Sequence, residues 1–412
     1  MVKRLANFLN SQEFLESSRL APQFFTRCRV LPFATVLAFL LCGVRGAVQA
    51  ELDSFFALLT QRTRLLRVVT AQAFSKARHQ IRADVFERVN RALLALVGEE
   101  IGFARWCGLR LVAGDDSHVR LTLFDPERRV RYIKEAVAFG LFLPGLELFE
   151  HFTLYEPVCD ERQMLVEHLD GLAADDLLLL DRGYPSAWLV ALLIHRNIPF
   201  CMRCDVQDNG FAVVRRFMRS GQPEVFVTLP TPSVRDATGY ECPRTPPRVR
   251  LIRQITPQGK VRVLMTSLCD TERFPLEAFA ELYHQRWRIE EAFKRLKHRL
   301  HLEHTSGLSW LAARQDFGAK AVCDNLAALA AWCAAQRHLV PDTAWRINRT
   351  LAFNVLRRIL PRALVTATLG ARIVAEVLTQ IALNVQKFVP ERHRPRTPRN
   401  KPHKFHAYKP AV

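Results

Sequence analysis

The stretch "LLLLDRGY", residues 177–184, constrains the fold more than any other part of the chain. Four consecutive leucines are too few for a helix. A continuously apolar run of this length suits a strand covered on both faces, the situation of a central strand in a largely parallel sheet. Asp181 then falls at the carboxyl edge of that strand. The neighbouring segments agree. "ERQMLVEHLDGL" (161–172) and "SAWLVALLIHRN" (186–197) have helical periodicity, and "PFCMRC" (199–204) reads as a further strand. Strands alternating with helices predict an α/β sheet.

Upstream, "GLRLVAGDDSHVRLTLF" (108–124) reads as a strand, a turn at Gly114 and a second strand. "AVAFGLFLPGLELFEHFTLYE" (136–156) predicts two more, broken at Pro144-Gly145. Residues 1–100 read as helical throughout. Their segment "QRTRLLRVVTAQAFSKARHQIR" (61–82) is strongly basic, as a DNA-binding helix or a solvated face would be. Downstream, "FAVVRRFM" (211–218), "EVFVTLP" (224–230) and "VRLIRQI" (249–255) are expected as strands of a β-rich insertion. "VRVLMTSL" (261–268) either closes that insertion or returns to the main sheet.

These readings divide the chain into five parts. They are a helical N-terminal region (1–100), the first part of an α/β core (101–204), the β-rich insertion (205–268), the second part of the core (269–340), and a helical C-terminal region ending in a basic, Pro-rich tail (341–412). The apolar stretch "VLPFATVLAFLLCGV" (30–44) is too short for a bilayer and contains Pro32, so it is expected as a buried helix rather than a signal peptide or a membrane span.

Charge narrows the function. With 59 Lys and Arg against 40 Asp and Glu, the net charge is +19. Such an excess implies a polyanionic partner, above all nucleic acid. Ten scattered cysteines form no disulfide framework and fit reduced thiols in a cytoplasmic protein. Cys201 and Cys204 form one CxxC. Three residues apart on a strand, they point to opposite faces, and no second pair follows at zinc-finger spacing. His298, His301 and His304 spread over too wide an arc of helix to hold one metal. Neither a phosphate-binding glycine loop nor HExxH is present, so ATP hydrolysis and zinc proteolysis have no support.

A strongly basic chain with acids at strand ends points to phosphoryl transfer on DNA. That chemistry commonly uses two divalent ions about 4 Å apart, held by carboxylates. Three candidates stand in suitable contexts. The "GDDS" pair, Asp115 and Asp116, follows an apolar strand; Asp181 ends "LLLL"; and Glu290 lies on the expected long helix "ELYHQRWRIEEAFKRLKHRL" (281–300). On that helix Tyr283, Arg286, Glu290 and Lys297 fall within an arc of roughly 60° at about 100° per residue. They would face one way, Glu290 toward a metal and the others toward a DNA backbone, with Arg286 as a forked donor. Glu291 is turned away from this face.

The pattern Y-x2-R-x3-E-x6-K, met by Tyr283, Arg286, Glu290 and Lys297, resembles the signature of a large family of DDE-type bacterial insertion-sequence transposases. "LLLLDRGYPS" resembles that family's second acidic motif, and "LVAGDDSHVRL" its first. Asp115 takes the first carboxylate position, with Asp116 as an alternative. The resemblance implies an RNase H-like catalytic core with a β-rich insertion, and Asp115, Asp181 and Glu290 as catalytic residues holding two Mg2+ ions, with Mn2+ a possible substitute. It implies cleavage of a strand at the end of the insertion sequence, then attack of the freed 3′-OH on target DNA, with no covalent protein–DNA intermediate. Tyr283, Arg286 and Lys297 would contact DNA, and Trp287 would stack on a base or pack. The implied partners are terminal inverted repeats, target DNA and further copies of the chain. The implied location is the bacterial cytoplasm, at the nucleoid, with no membrane. A nuclease lacking strand transfer, or an inactive DNA-binding relic, would share many of these features.

Overall fold

A computed structural model of the 412-residue chain describes residues 1–27, 30–62, 67–207, 210–256, 259–338 and 345–387. Six helices come first: Val2–Leu9 (α1), Gln12–Ser18 (α2), Phe33–Leu40 (α3), Val48–Thr60 (α4), Ala71–Arg78 (α5) and Val85–Glu100 (α6). Strands Arg105–Trp106 (β1), Leu109–Asp125 (β2), Val130–Leu143 (β3) and Leu148–Tyr155 (β4) follow. Then come Glu161–Val166 (α7), Asp176–Leu180 (β5), Ala187–His195 (α8), Phe200–Arg203 (β6), Ala212–Ser220 (α9), Glu224–Thr228 (β7) and Val234–Gly239 (α10). Arg248–Ile255 (β8) and Val261–Thr266 (β9) lead to Ala278–His284 (α11), Trp287–His298 (α12) and Trp310–His338 (α13). Trp345–Ile347 (β10), Arg349–Val365 (α14), Ala371–Ala382 (α15) and Val385–Lys387 (β11) complete the order.

The chain forms two compact units. One comprises Phe103–His118 and Val137–Phe293; the other comprises Met1–Gly102, Val119–Ala136 and Lys294–Val412. The first is built on a mixed sheet in the order β4-β3-β2-β5-β6-β9-β8-β7, with β1 paired to β2. β2 and β6 each run parallel to β5, whereas β9, β8 and β7 are added antiparallel. The order β4-β3-β2-β5-β6, with helices in the connections, is that of the expected RNase H-like α/β core. Leu177, Leu178, Leu179 and Leu180 are fully buried, as a central strand requires. α8, buried along most of its length, starts where the Ser186 side chain accepts a bond from the Leu189 amide. At the amino end of β5, Arg110 makes a forked pair with buried Asp176 at 2.6 and 2.8 Å.

The helical unit is organised around α13, where even polar residues are buried. Arg78 from α5 donates to Gln315 at 3.0 Å and to Asp316 at 3.1 Å, and Asn325 donates to Asn90 at 2.7 Å. α3 is buried at every residue, as its apolar sequence requires. Among the described residues no helix is long and apolar enough to cross a membrane.

Three expectations change and one open alternative is decided. Residues 108–124 hold no turn: β2 runs unbroken through Gly114. There the absent side chain makes room for Leu180, whose Cδ2 would lie 2.8 Å from a Cβ. "FAVVRRFM" is a helix, α9, rather than a strand: Val214 and Phe217, three apart, form its buried face, and Gly221 ends it in the left-handed conformation. "VRVLMTSL" returns to the main sheet, since β9 pairs with β6 and carries β8 and β7 with it. The helix expected over 281–300 is two, α11 and α12, joined through Gln285 and Arg286. The amides of Gln285, Arg286, Arg288 and Ile289 each bond three residues back, a tightened 3₁₀-like step. Part of the basic segment 61–82 and almost all of the final basic tail lie outside the described residues.

Candidate active site

β2 and β5 lie side by side in register, Ala113 opposite Leu179. Continued two residues, that register brings Asp115 level with Asp181, just beyond the carboxyl end of β5. This edge of an open α/β sheet is where ligands commonly bind. Asp181 accepts a bond from the Gly183 amide at 2.6 Å, which orients it across the tight turn after β5. Arg162 clamps the same turn, donating to the carbonyls of Tyr184 at 3.1 Å and Gly183 at 2.5 Å.

Glu290 comes from the first turn of α12. Arg286, on the preceding step, joins it to the strand: one guanidinium nitrogen lies 2.5 Å from Glu290 Oε1 and another 3.4 Å from Asp115 Oδ2. Arg286 is 5% exposed, and its Nε has no hydrogen-bond partner. Asp115 also accepts from the Asp116 amide at 3.0 Å. Burial pushes the Asp115 carboxyl up to about 7, and the charges of Asp181 and Glu290 push the same way. Arg286 and the Asp116 amide oppose them. Asp181 and Glu290 thus both act on Asp115 electrostatically, and all three residues belong to the sheet unit.

The expected DNA-contacting residues have other surroundings. Tyr283 is 2% exposed, and its hydroxyl donates to the Leu180 carbonyl at 3.2 Å. It fastens α11 to the end of β5 and presents no surface to a phosphate. The buried Arg286 faces carboxylates rather than solvent. Lys297 is half-buried on the last turn of α12, in the helical unit. Trp287 is exposed, with the Arg262 guanidinium 4.9 Å from its ring centre, a cation–π contact. Cys201 and Cys204 are both buried and free.

Sequence reasoning passed over two residues. Glu161, the first residue of α7, places a carboxyl oxygen within 4.8 Å of oxygens of Asp115 and Asp116. Burial pushes it up to about 8, and Asp116, Asp181 and Asp115 add to the rise. Tyr184 is fully buried beside it. Burial, then the neighbouring Glu161, holds its phenol well above the ordinary tyrosine pKa, so it stays protonated. The Gly-Tyr pair after Asp181 was the available signal for Tyr184. Glu161 stood only within a segment of helical periodicity; it is the acidic first turn of a helix capped by Asp160.

Residues 151–326 match the family model described as "Transposase DDE domain". That span contains Glu161, Asp181 and Glu290 but begins after Asp115. The chain is similar to "Transposase InsG for insertion sequence element IS4" of Escherichia coli (strain K12), 28% identical over 249 residues. The match covers 56% of this chain and 53% of that relative, so the chain spans about half the length of the curated relative it matches. Among solved structures, a piggyBac transposase synaptic complex with hairpin DNA aligns at a TM-score of 0.44 and 10% identity, over 94% of this chain and 85% of that one. The sequence similarity is to DDE-type insertion-sequence transposases.

Proposed function

We propose that this chain is a transposase that cuts DNA at the ends of an insertion sequence and joins the freed ends to target DNA. What supports the reading is Arg286, bonded to both Asp115 from β2 and Glu290 from α12, with Asp181 near enough to raise the Asp115 carboxyl. The donors are carboxylate oxygens, which fit a hard divalent cation. Asp115, Asp181 and Glu290 would hold two such ions, Mg2+ by preference and Mn2+ as a substitute. When bound, these ions supply Lewis-acid stabilisation at the phosphodiester and activate the attacking oxygen.

The chain's own residues do the rest. Asp115 must lose its proton for the site to form, and the Arg286 guanidinium favours that loss. Tyr283 fixes the start of the α11–α12 step against β5, which sets where Glu290 stands. Arg286 is held between two carboxylates whose charge the cations would neutralise. Its forked donors would then serve a DNA phosphate, and Lys297 and Trp287 would serve the flanking backbone and an unpaired base. The helical regions 1–100 and 341–412, with the basic tail, bind the terminal inverted repeats. The working form is a homo-oligomer on DNA at the bacterial nucleoid, and no protein–DNA covalent intermediate is required.

The test uses the purified full chain, DNA carrying the insertion sequence's own ends, a target plasmid and Mg2+. Joined products that disappear in Glu290→Gln are expected. Cleavage without joining would make the protein a nuclease, and binding with no chemistry would make it a relic.

A further inference from the structure

Four arginines of the helical unit meet around one carboxylate. Arg45 follows α3, Arg295 and Arg299 stand at the end of α12 and just beyond it, and Arg349 opens α14. All four line one cleft, in which Asp324 of α13 is the single acid among the described residues. Asp324 accounts for two of them. It accepts from Arg295 at 3.2 and 3.3 Å and lies 3.0 Å from Arg349. That clamp ties the end of α12 and the start of α14 to α13, and it needs no ligand. Arg45 and Arg299 are left over. The Arg45 guanidinium donates to neutral oxygens, Asn354 Oδ1 at 3.0 Å and the Arg299 carbonyl at 3.4 Å. Burial, then the charge of Arg357, holds it below the ordinary arginine value, against the pull of Glu51. Arg299 is exposed, and among the described residues its side chain pairs with no carboxylate. The amino end of α14, a helix of 17 residues, adds its partial positive charge. Its first amides are already taken, since the Asn348 side chain accepts from Thr350 at 3.1 Å and Leu351 at 3.2 Å. The guanidinium groups are therefore the donors that an anion would meet.

We propose that this cleft seats one backbone phosphate of duplex DNA, held by Arg45 and Arg299, with Arg295 and Arg349 fixed beside them by Asp324. Charge argues for the occupant. Four guanidinium groups against one carboxylate leave an excess of three positive charges in one cleft, and like charges so gathered repel unless an anion meets them. A guanidinium fork matches two phosphate oxygens, which a carboxylate-free pair such as Arg45 and Arg299 can offer from two directions. The exposure of Arg299 puts the cleft within reach of a polymer, and the net charge of +19 draws a polyanion toward it. Such a contact fixes the position of the protein on the duplex and reads no base. That the duplex is an insertion-sequence end rests on the transposase reading; the phosphate contact does not.

The experiment measures binding of the full chain to two duplexes, an insertion-sequence end and a random sequence, by fluorescence anisotropy across a range of salt. Arg299→Ala is expected to weaken both by about tenfold, the worth of one hydrogen bond to a charged group, and to lower the slope of log affinity against log salt by about one. Arg299→Lys keeps the charge and is expected to keep the slope while losing part of the affinity. Arg45→Ala should act in the same direction; where its circular dichroism spectrum departs from wild type, the exposed Arg299 decides alone. Arg372→Ala, which removes a charge from a side chain 92% exposed on α15, is the control and should change the slope by much less. Wild-type slope and affinity in Arg299→Ala overturn the proposal, as does an equal loss in Arg372→Ala, which would mean that total charge and not this cleft is felt. Inorganic phosphate is added to the same proteins in thermal melts. If it stabilises the wild type and not Arg299→Ala, while both bind DNA alike, the cleft takes free phosphate and the DNA contact is overturned. A loss in Arg299→Ala on both duplexes, in a protein that never cuts DNA, upholds the phosphate contact and overturns the transposase reading instead.

Discussion

Arg286 couples the helix to the sheet at the level of single atoms. Its side chain is 6% exposed, against 17% for Asp115 and 38% for Glu290, so the three groups are unequally screened. Removing one member of a fully buried pair costs ~3–5 kcal/mol; with Glu290 partly in water, Arg286→Ala is expected to lower stability by about 2 kcal/mol. Urea unfolding checks this, and the loss should be larger at pH 8, where Asp115 is charged, than at pH 5.5. The acids themselves set a second pH dependence. Burial raises Asp115 to about 7 and Glu161 to about 8. Between the ordinary carboxyl range near ~4 and those values, the folded chain keeps protons that the unfolded chain has lost. Their contribution to stability is therefore complete below ~4 and is lost as pH rises through about 7 to 8. In EDTA, the melting temperature of the wild type should fall more between pH 5 and 8 than that of Asp115→Asn. Equal slopes would contradict the burial of Asp115. At this scale the sequence singled out Asp115, Asp181 and Glu290, because Asp181 follows a strand, Glu290 lies in the first turn of a helix, and each of the three sits in a recognisable motif, although Asp115 falls inside β2 rather than at its end. It concealed Tyr283's buried role, since one turn of helical spacing says which side a residue faces but not what covers it.

Elements decide whether these atoms meet. The strand "LLLL" and the flanking helices were legible because local periodicity and burial demand the same structure. "FAVVRRFM" was misread because its β-branched and aromatic residues favour a strand in isolation, while packing on Val214 and Phe217 makes it a helix. Gly114 was misread as a turn because glycine signals both turns and close approach, and only the neighbouring strand, with Leu180 against it, separates the two. The turn after β5 makes a prediction at this scale. Gly183→Ala forces a methyl against Glu161 and Asp181, so it should reduce DNA cleavage by tenfold or more while shifting the unfolding midpoint little. Cleavage assays beside urea titrations decide the point. A large loss of stability with proportionate loss of activity would mean that the turn, rather than the carboxylates, is what the methyl disturbs.

At the scale of the whole molecule, the net charge of +19 is the property most directly tied to DNA. It was plain from composition, whereas the partition into two units was not. Residues 119–136, although they include parts of β2 and β3, and residues 294–412 group with the N-terminal helices in one unit. That assignment depends on contacts between residues far apart in sequence, which no local pattern encodes. If the basic regions engage six or more phosphates, affinity for duplex DNA should fall by ~10³-fold or more between 50 and 200 mM salt. Fluorescence anisotropy across that range measures the slope. A nearly flat response would remove the basis for assigning DNA binding to net charge.

The central claim is that carboxylates from β2, the turn after β5 and α12 form one catalytic site. Its most direct test is cleavage of insertion-sequence end DNA in Mg2+ by Asp115→Asn, Asp181→Asn and Glu290→Gln, each compared with wild type and each checked for wild-type DNA binding. The account predicts that every one of the three binds DNA normally and loses cleavage by about 100-fold or more, as removal of a group acting directly at the reaction centre does. Cleavage within tenfold of wild type in any one of them would contradict it.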